Sequence, residues 1–346
     1  MIILAIETSC DETAVALLEI NKGHFKVLAN LISSQINIHK KYGGVVPEVA
    51  ARKHMENILP LLDKALKQSK ITTKQIDAIG VVYGPGLITS LIVGLETAKT
   101  LAMVWNKPLI PVNHIKAHIL ANYLKGDQGE LEQIEYPALC LVVSGGHTSL
   151  ALLKDFNNFK TIGSTRDDAV GEAFDKAAKI MGLGYPGGPI ISKHAENADP
   201  EYYKLPRPMI HSKDFDFSFS GLKTAVKYVW DKEKFKDGKA IRKMCAAFQQ
   251  ACIDVLIAKT IKAAEKFKVK SLLLGGGVAA NQELRRQLEE QVKSKLPEVK
   301  FFQPDLHLTT DNGLMVAVAS HFECKDDLAK FKEMWREVKV DPNLEI

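Results

Sequence analysis

The 346-residue chain is long enough for about two domains, each with its own core, and its 46% hydrophobic and 25% charged residues exclude a disordered or fibrous protein. No apolar run reaches the roughly 18 residues of a membrane helix. The five cysteines (Cys10, Cys140, Cys245, Cys252 and Cys324) are scattered without C-x-x-C spacing, which argues against a disulfide framework and for the reduced thiols of a cytoplasm. A formal net charge of +5 permits a polyanionic partner without requiring one.

The chain opens on Met1-Ile-Ile-Leu-Ala-Ile6, an apolar stretch with no basic flank that runs at once into Glu7 and Asp11-Glu12. It reads as a buried strand and not as a signal peptide. Thr8-Ser-Cys-Asp11 forms the turn after it, and an alternating strand follows. Asp11 there is either a turn former or a polar catalytic group. Further on, Ile76–Val82 is a short strand leading into Gly84-Pro-Gly86 and a helical pattern from Leu87 to Trp105. Pro108–Val112 is the next strand, and His114 starts a helix whose next turn carries His118.

The second half repeats this plan. Shifting residues 4–18 by 135 places Leu4, Ser9, Thr13, Ala16, Leu17 and Leu18 on Leu139, Ser144, Thr148, Ala151, Leu152 and Leu153. Val269–Leu274 then runs into Gly275-Gly-Gly277 and a helix near Asn281 to Leu296, Val299–Phe302 gives the next strand, and Asp311 stands where His114 stands in the first half. The expected architecture is α/β, with two similar lobes around a central cleft. The first lobe spans 1–130 and is completed by C-terminal helices in 311–346; the second spans 137–310. Residues about 155–265 form a largely helical, substrate-facing insertion, which includes Asp168–Met181, the loop Gly182–Pro189 and the aromatic segment Phe215–Phe219.

Two imidazoles four residues apart lie on one helical face and can share a metal ion. Asp311 at the equivalent joint of the other half completes a His114, His118, Asp311 set; repeat order assigns Asp311 to the opposite lobe and the ion to the pseudo-symmetry axis, whereas the lobe bounds give 311–346 to the first lobe. Iron(II), zinc or manganese fits such a donor set. Ile115 and Lys116 replace the glutamate and its neighbour of H-E-x-x-H, so peptide hydrolysis lacks its usual water activator.

In Ser144-Gly-Gly-His-Thr148, glycines let backbone amides approach phosphate oxygens. Gly275–Asn281 offers backbone to a base or ribose and Asn281 a hydrogen bond. Asp175 could grip a ribose hydroxyl or an amine, and Gly184–Pro189 is a rigid loop. For nucleic acid the candidates are Arg52-Lys53-His54, Lys223 and Arg285-Arg286. A kinase or ATPase of the same superfold, a metalloprotease and a non-catalytic scaffold are the rival readings.

Ile6-Glu-Thr-Ser-Cys-Asp-Glu-Thr13, Gly43-Gly-Val-Val-Pro-Glu48, Ala51-Arg-Lys-His54, Gly84-Pro-Gly86, Asn113-His-Ile-Lys-Ala-His118, Val143-Ser-Gly-Gly-His-Thr148, Gly171-Glu-Ala-Phe-Asp175, Tyr185-Pro-Gly-Gly-Pro189, Phe217–Lys223, Gly275–Asn281 and Asp311-Asn-Gly313 together resemble the TsaD family. These are the bacterial tRNA N6-adenosine threonylcarbamoyltransferases, formerly called O-sialoglycoprotein endopeptidases. The resemblance implies the actin/Hsp70-like (ribonuclease H-like) superfold. It also implies transfer of threonylcarbamoyl from L-threonylcarbamoyladenylate to N6 of adenosine 37, giving t6A in tRNAs that read codons beginning with A. By family pattern His114, His118 and Asp311 hold one divalent metal per subunit, iron(II) before zinc. Val142, Val143, Ser144, Gly145, Gly146, Asp175, Gly188 and Asn281 contact the adenylate. A TsaB-like paralogue, a TsaE-like ATPase and a cytoplasmic setting follow from the same resemblance.

Overall fold

The computed structural model describes residues 1–346, which divide into two units, Met1–Ile134 with Pro304–Ile346, and Glu135–Gln303. In the first, β1 (Ile2–Glu7), β2 (Glu12–Asn21), β3 (His24–Ser34), β4 (Ala78–Gly84), β5 (Leu109–Asn113) and β6 (Gln128–Glu130) form one sheet in the order β5-β4-β1-β2-β3-β6. In the second, β7 (Ala138–Val143), β8 (Thr148–Leu153), β9 (Phe159–Ser164), β10 (Ser271–Gly275) and β11 (Lys300–Phe302) are ordered β11-β10-β7-β8-β9.

The internal repeat is carried in the pairing register. Leu4 lies opposite Leu17 across β1 and β2, and Leu139 opposite Leu152 across β7 and β8, each pair displaced by the same 135 positions. Each hairpin then has a parallel neighbour, with Leu4 beside Ile79 and Leu139 beside Leu272. A one-residue slip would turn every inward side chain outward, so this agreement marks one topology used twice.

β1 is an unbroken apolar run because its sheet is covered on both faces. Leu4, Ile6, Val15 and Leu17 pack with Ile58 and Leu62 of the helix Pro47–Ser69 and with Leu95 and Ala98 of the helix Ile88–Trp105. The helix Gly313–Cys324 covers the other face so closely that a Cβ on Gly313 would lie 2.6 Å from the Ala16 amide nitrogen. In the second unit, Leu139, Leu141 and Val143 pack with Val170, Phe174 and Phe248, centred on the long helix Gly238–Phe267. Each fully buried Leu or Phe stabilises its unit by about 1.5–3 kcal/mol.

Several expectations need correction. The chain returns to the first unit at Pro304 and not at Asp311: Asp305 accepts a hydrogen bond from the Gly126 amide, and Leu308 is buried. Residues 159–164 are not part of a helical insertion but form β9, which pairs with β8 as β3 pairs with β2. The helical part begins at Val170. The loop after Met181 is shorter than expected, because a helix starts at Gly187. Phe215, Phe217 and Phe219 do not face a substrate; all three are core side chains. Two helices, Ile88–Trp105 and Gly238–Phe267, are long and apolar enough to match a membrane span by length and composition, although charges such as Glu96 and Lys99 interrupt the apolar run of the first, and the second is mostly buried in its own unit.

Candidate metal centre and adenylate-binding loops

In the first unit, β5 delivers the chain to Asn113, whose side-chain oxygen accepts from the amides of Ile115 and Lys116 and caps the helix His114–Leu120. This cap fixes His114 as the first helical residue and puts His118 one turn later on the same face. The second capping asparagine, Asn312, accepts from the Met315 amide at the start of Gly313–Cys324, and Asp311 immediately precedes it.

The three side chains meet. Asp311 Oδ1 lies 3.1 Å from His118 Nε2 and 3.6 Å from His114 Nε2, and one ligand atom from each residue falls within a 4.8 Å group. The rings are edge-to-face with centroids 4.6 Å apart. Both histidines are buried, and Asp311 is partly open to solvent. The expectation from repeat order, that the opposite lobe supplies Asp311, is overturned: all three residues belong to the first unit, because the chain has already returned to it at Pro304.

The chemistry of the donors fits a divalent cation. His114 Nδ1 faces Glu7 Oε2 at 3.3 Å and Ser9 Oγ at 3.1 Å, so a proton on Nδ1 leaves the Nε2 lone pair for a metal. Burial alone would lower the His114 pKa, yet the carboxylates of Asp311 and Glu7 outweigh it and lift the value to about 9. The negative charge of these carboxylates, gathered beside two imidazoles, is what a cation would neutralise. Asp11 is buried in the adjoining turn. Its neighbour Glu12 is held well above the ordinary carboxylate range by burial, then by the charges of Asp11 and Asp311. Glu7, Ser9 and Glu12 were not singled out from sequence. An acidic residue ending an apolar strand was the available signal for Glu7, since a buried carboxylate requires a partner.

In the second unit, the turn after β7 is held between two close approaches. A Cβ on Gly171 would lie 2.6 Å from the Ser144 carbonyl oxygen, and one on Gly276, at φ +91°, 2.4 Å from the Val143 oxygen. Only glycine meets both demands at 276. Gly145, Gly146, Gly188 and Gly277, by contrast, border open space. The Ser144 side chain accepts from the His147 amide at 3.0 Å. Asp175 accepts from the Gly187 amide at 2.6 Å, which anchors the helix Gly187–Ala195.

Asn281 caps the helix Gln282–Lys295 through Leu284, while its amide nitrogen donates to Ser192 and Gln249 at 2.9 Å each. Ser192 and Gln249, also missed from sequence, therefore join the loops around Ser144, Gly187 and Gly276 at the carboxyl ends of β7 and β10, where open α/β sheets bind ligands. Val142 and Val143 are core side chains and offer only backbone to this region.

The sequence model of the family described as "tRNA N6-adenosine threonylcarbamoyltransferase" (TsaD) matches residues 26–318. The chain belongs to this family. TsaD relatives of the same description include one from Kosmotoga olearia, 49% identical over 94% of each chain. Another, from Syntrophomonas wolfei, is 48% identical over 93% of this chain and 92% of its own, and one from Thermosipho africanus is 45% identical over the full length of both.

The fold also resembles full-length HypF in its phosphate- and nucleotide-bound form, with a TM-score of 0.61 and 14% identity over 94% of this chain and 47% of that one. HypF from T. kodakarensis gives 0.59 at 13% identity over 93% and 47%. Both share the actin/Hsp70-like α/β superfold. TsaD membership makes the chain a transferase of tRNA modification, and the kinase or ATPase alternative is not favoured.

Proposed function

We propose that the protein transfers the threonylcarbamoyl group of L-threonylcarbamoyladenylate to N6 of adenosine 37 in tRNAs reading codons that begin with A. The observation that carries this reading is the convergence of His114, His118 and Asp311 in a chain of this family. These residues would hold one divalent ion, iron(II) or zinc, which when bound supplies Lewis acidity to a carbonyl or phosphate oxygen.

The donor is already an activated mixed anhydride, so the protein's task is orientation and charge stabilisation. Ser144, Gly145, Gly146 and Gly188 present backbone amides and open space to the adenylate, while Asp175 and Asn281 fix the loops that form its walls. Val142 and Val143 hold the strand beneath. Asp11, buried in the turn beside Glu12, is the proposed acceptor of the N6 proton. A TsaB-like paralogue and a TsaE-like ATPase are the proposed partners, and the cytoplasm the proposed setting.

The test supplies threonylcarbamoyladenylate and unmodified tRNA, with and without the two partners, and measures modified adenosine by mass. The expected product is N6-threonylcarbamoyladenosine, reduced by about 10²-fold or more in His114→Ala and His118→Ala. No product in any combination refutes the assignment.

A further inference from the structure

The basic residues singled out for nucleic acid are mostly occupied within the protein. His54 is buried and bonded to Thr13 and Cys10, and Lys53 pairs with Glu56. Lys223 pairs with Asp168, Arg286 with Glu283 and Glu290, and Arg285 donates to the Ala279 carbonyl. A different segment holds the unspent charge. Residues 227–243 carry seven basic side chains (Lys227, Lys232, Lys234, Lys236, Lys239, Arg242, Lys243) against three acidic ones, a net +4 of the chain's formal +5. The other 329 residues are close to neutral.

This segment is the end of the helix Ser220–Lys232, a short connection, and the start of Gly238–Phe267. Two of its three acids are committed to the fold. Asp237 caps the second helix through the amides of Lys239 and Ala240, and Glu233 accepts from the Tyr203 hydroxyl. Lys227, Lys232, Lys234, Lys236, Lys239 and Arg242 are all exposed.

Aromatic rings lie among these charges. Phe235, at the tip, is 77% exposed, Tyr228 62% and Tyr202 54%. Lys232 sits 3.8 Å from the Tyr228 ring centroid and Lys243 3.4 Å from that of Tyr202. A plain solvated face explains the lysines, and one exposed ring alone would be ordinary; what sets this segment apart is three exposed rings, Phe235, Tyr228 and Tyr202, among its cations. Cations that follow a phosphate backbone, alternating with π faces on which unpaired bases stack, are the chemistry of a single-stranded nucleic acid platform.

We infer that the tip around Phe235, with Lys232, Lys234, Lys236, Lys239 and Tyr228, is a docking surface for tRNA, binding phosphates and stacking an unpaired base outside the reaction site. This rests on the tRNA substrate of the proposed function. An anionic membrane surface is the other occupant such a tip could take, and charge alone would not separate the two.

The test measures binding of full-length tRNA by the whole chain over a salt series, using Lys234→Ala/Lys236→Ala/Lys239→Ala and Phe235→Ala, with thermal melting as a check on folding. The triple variant should bind about tenfold more weakly and show a shallower dependence of affinity on salt, since fewer phosphates are neutralised. Phe235→Ala should weaken binding about fivefold with the salt dependence unchanged. In turnover both should raise KM for tRNA and leave kcat and donor binding as in the wild type.

Equal tRNA binding by folded variants and wild type overturns the inference, as does a wild-type chain that binds no tRNA. So does a loss confined to vesicles of phosphatidylserine and phosphatidylcholine. A wild type that binds tRNA through the tip yet modifies no adenosine leaves this surface standing and refutes the proposed reaction instead.

Discussion

Glu7 and His114 are 107 residues apart in sequence, yet Glu7 Oε2 lies 3.3 Å from His114 Nδ1 in a fully buried contact. The carboxylate accepts from the ring nitrogen that points away from Asp311, so it sets both the tautomer and the tilt of the imidazole. Ser9, whose hydroxyl is 3.1 Å from the same nitrogen, supports it from the turn.

Glu7→Gln should therefore lower metal affinity about 10–100-fold while leaving His114, His118 and Asp311 in place. Metal content after dialysis against graded chelator, measured by mass spectrometry, checks this. Full retention under conditions that keep the wild type loaded would remove Glu7 from the site.

Asp11→Asn separates proton acceptance from metal binding. The substitution keeps size and hydrogen-bonding capacity, so bound metal should be unchanged while kcat falls by about 10²–10⁴. Turnover with adenylate and tRNA supplied gives the answer, and wild-type turnover would show that another group takes the proton.

Lys259 offers a stability test remote from the chemistry. Its side chain is wholly buried and bonded to the Ser212 hydroxyl and to Asp214. Burial pulls its pKa down, against the pull of Asp214 in the other direction. Asp214→Ala removes the counter-charge of a buried ammonium and leaves it only the Ser212 hydroxyl and the main-chain carbonyl of residue 214, whereas Lys259→Met removes the charge itself. Asp214→Ala should therefore lower the midpoint of urea unfolding more than Lys259→Met does, and the reverse order would contradict this.

Acid sensitivity should trace in part to two depressed histidines. Burial lowers the His54 pKa, and burial followed by the charges of Lys325 and the N-terminal amine lowers His321 to about 4. The unfolded chain takes up these protons first, so their contribution is complete above the unfolded value of about 6.5 and is lost as pH falls toward 4. The melting temperature of His321→Asn should consequently fall less steeply between pH 6.5 and 4.5 than that of the wild type. Parallel curves would contradict this.

The repeated hairpin was legible because its signal is apolar periodicity, and the Leu4–Leu17 and Leu139–Leu152 registers follow it directly. His114 and His118 were legible from helical spacing, and Asp311 from its place in the repeat. Its lobe was not legible from the repeat, because repeat order does not say which sheet a returning helix will cover. β9 escaped notice since Phe159–Ser164 is largely solvent-facing and lacks the alternation that marks a half-buried strand. Phe217 and Phe219 looked like a binding segment because aromatic clustering is the same pattern in a core and in a pocket. Asn281 was legible as a polar residue after a glycine-rich turn; its hydrogen bonds to Ser192 and Gln249 were not, because they depend on packing between helices distant in sequence.

The most direct test of the central claim is anomalous diffraction from crystals of the protein loaded with iron(II) or zinc. A single peak within about 2.0–2.2 Å of His114 Nε2, His118 Nε2 and an Asp311 carboxylate oxygen is expected. A metal peak elsewhere in the chain, with these three side chains bonded only to one another, would contradict the account.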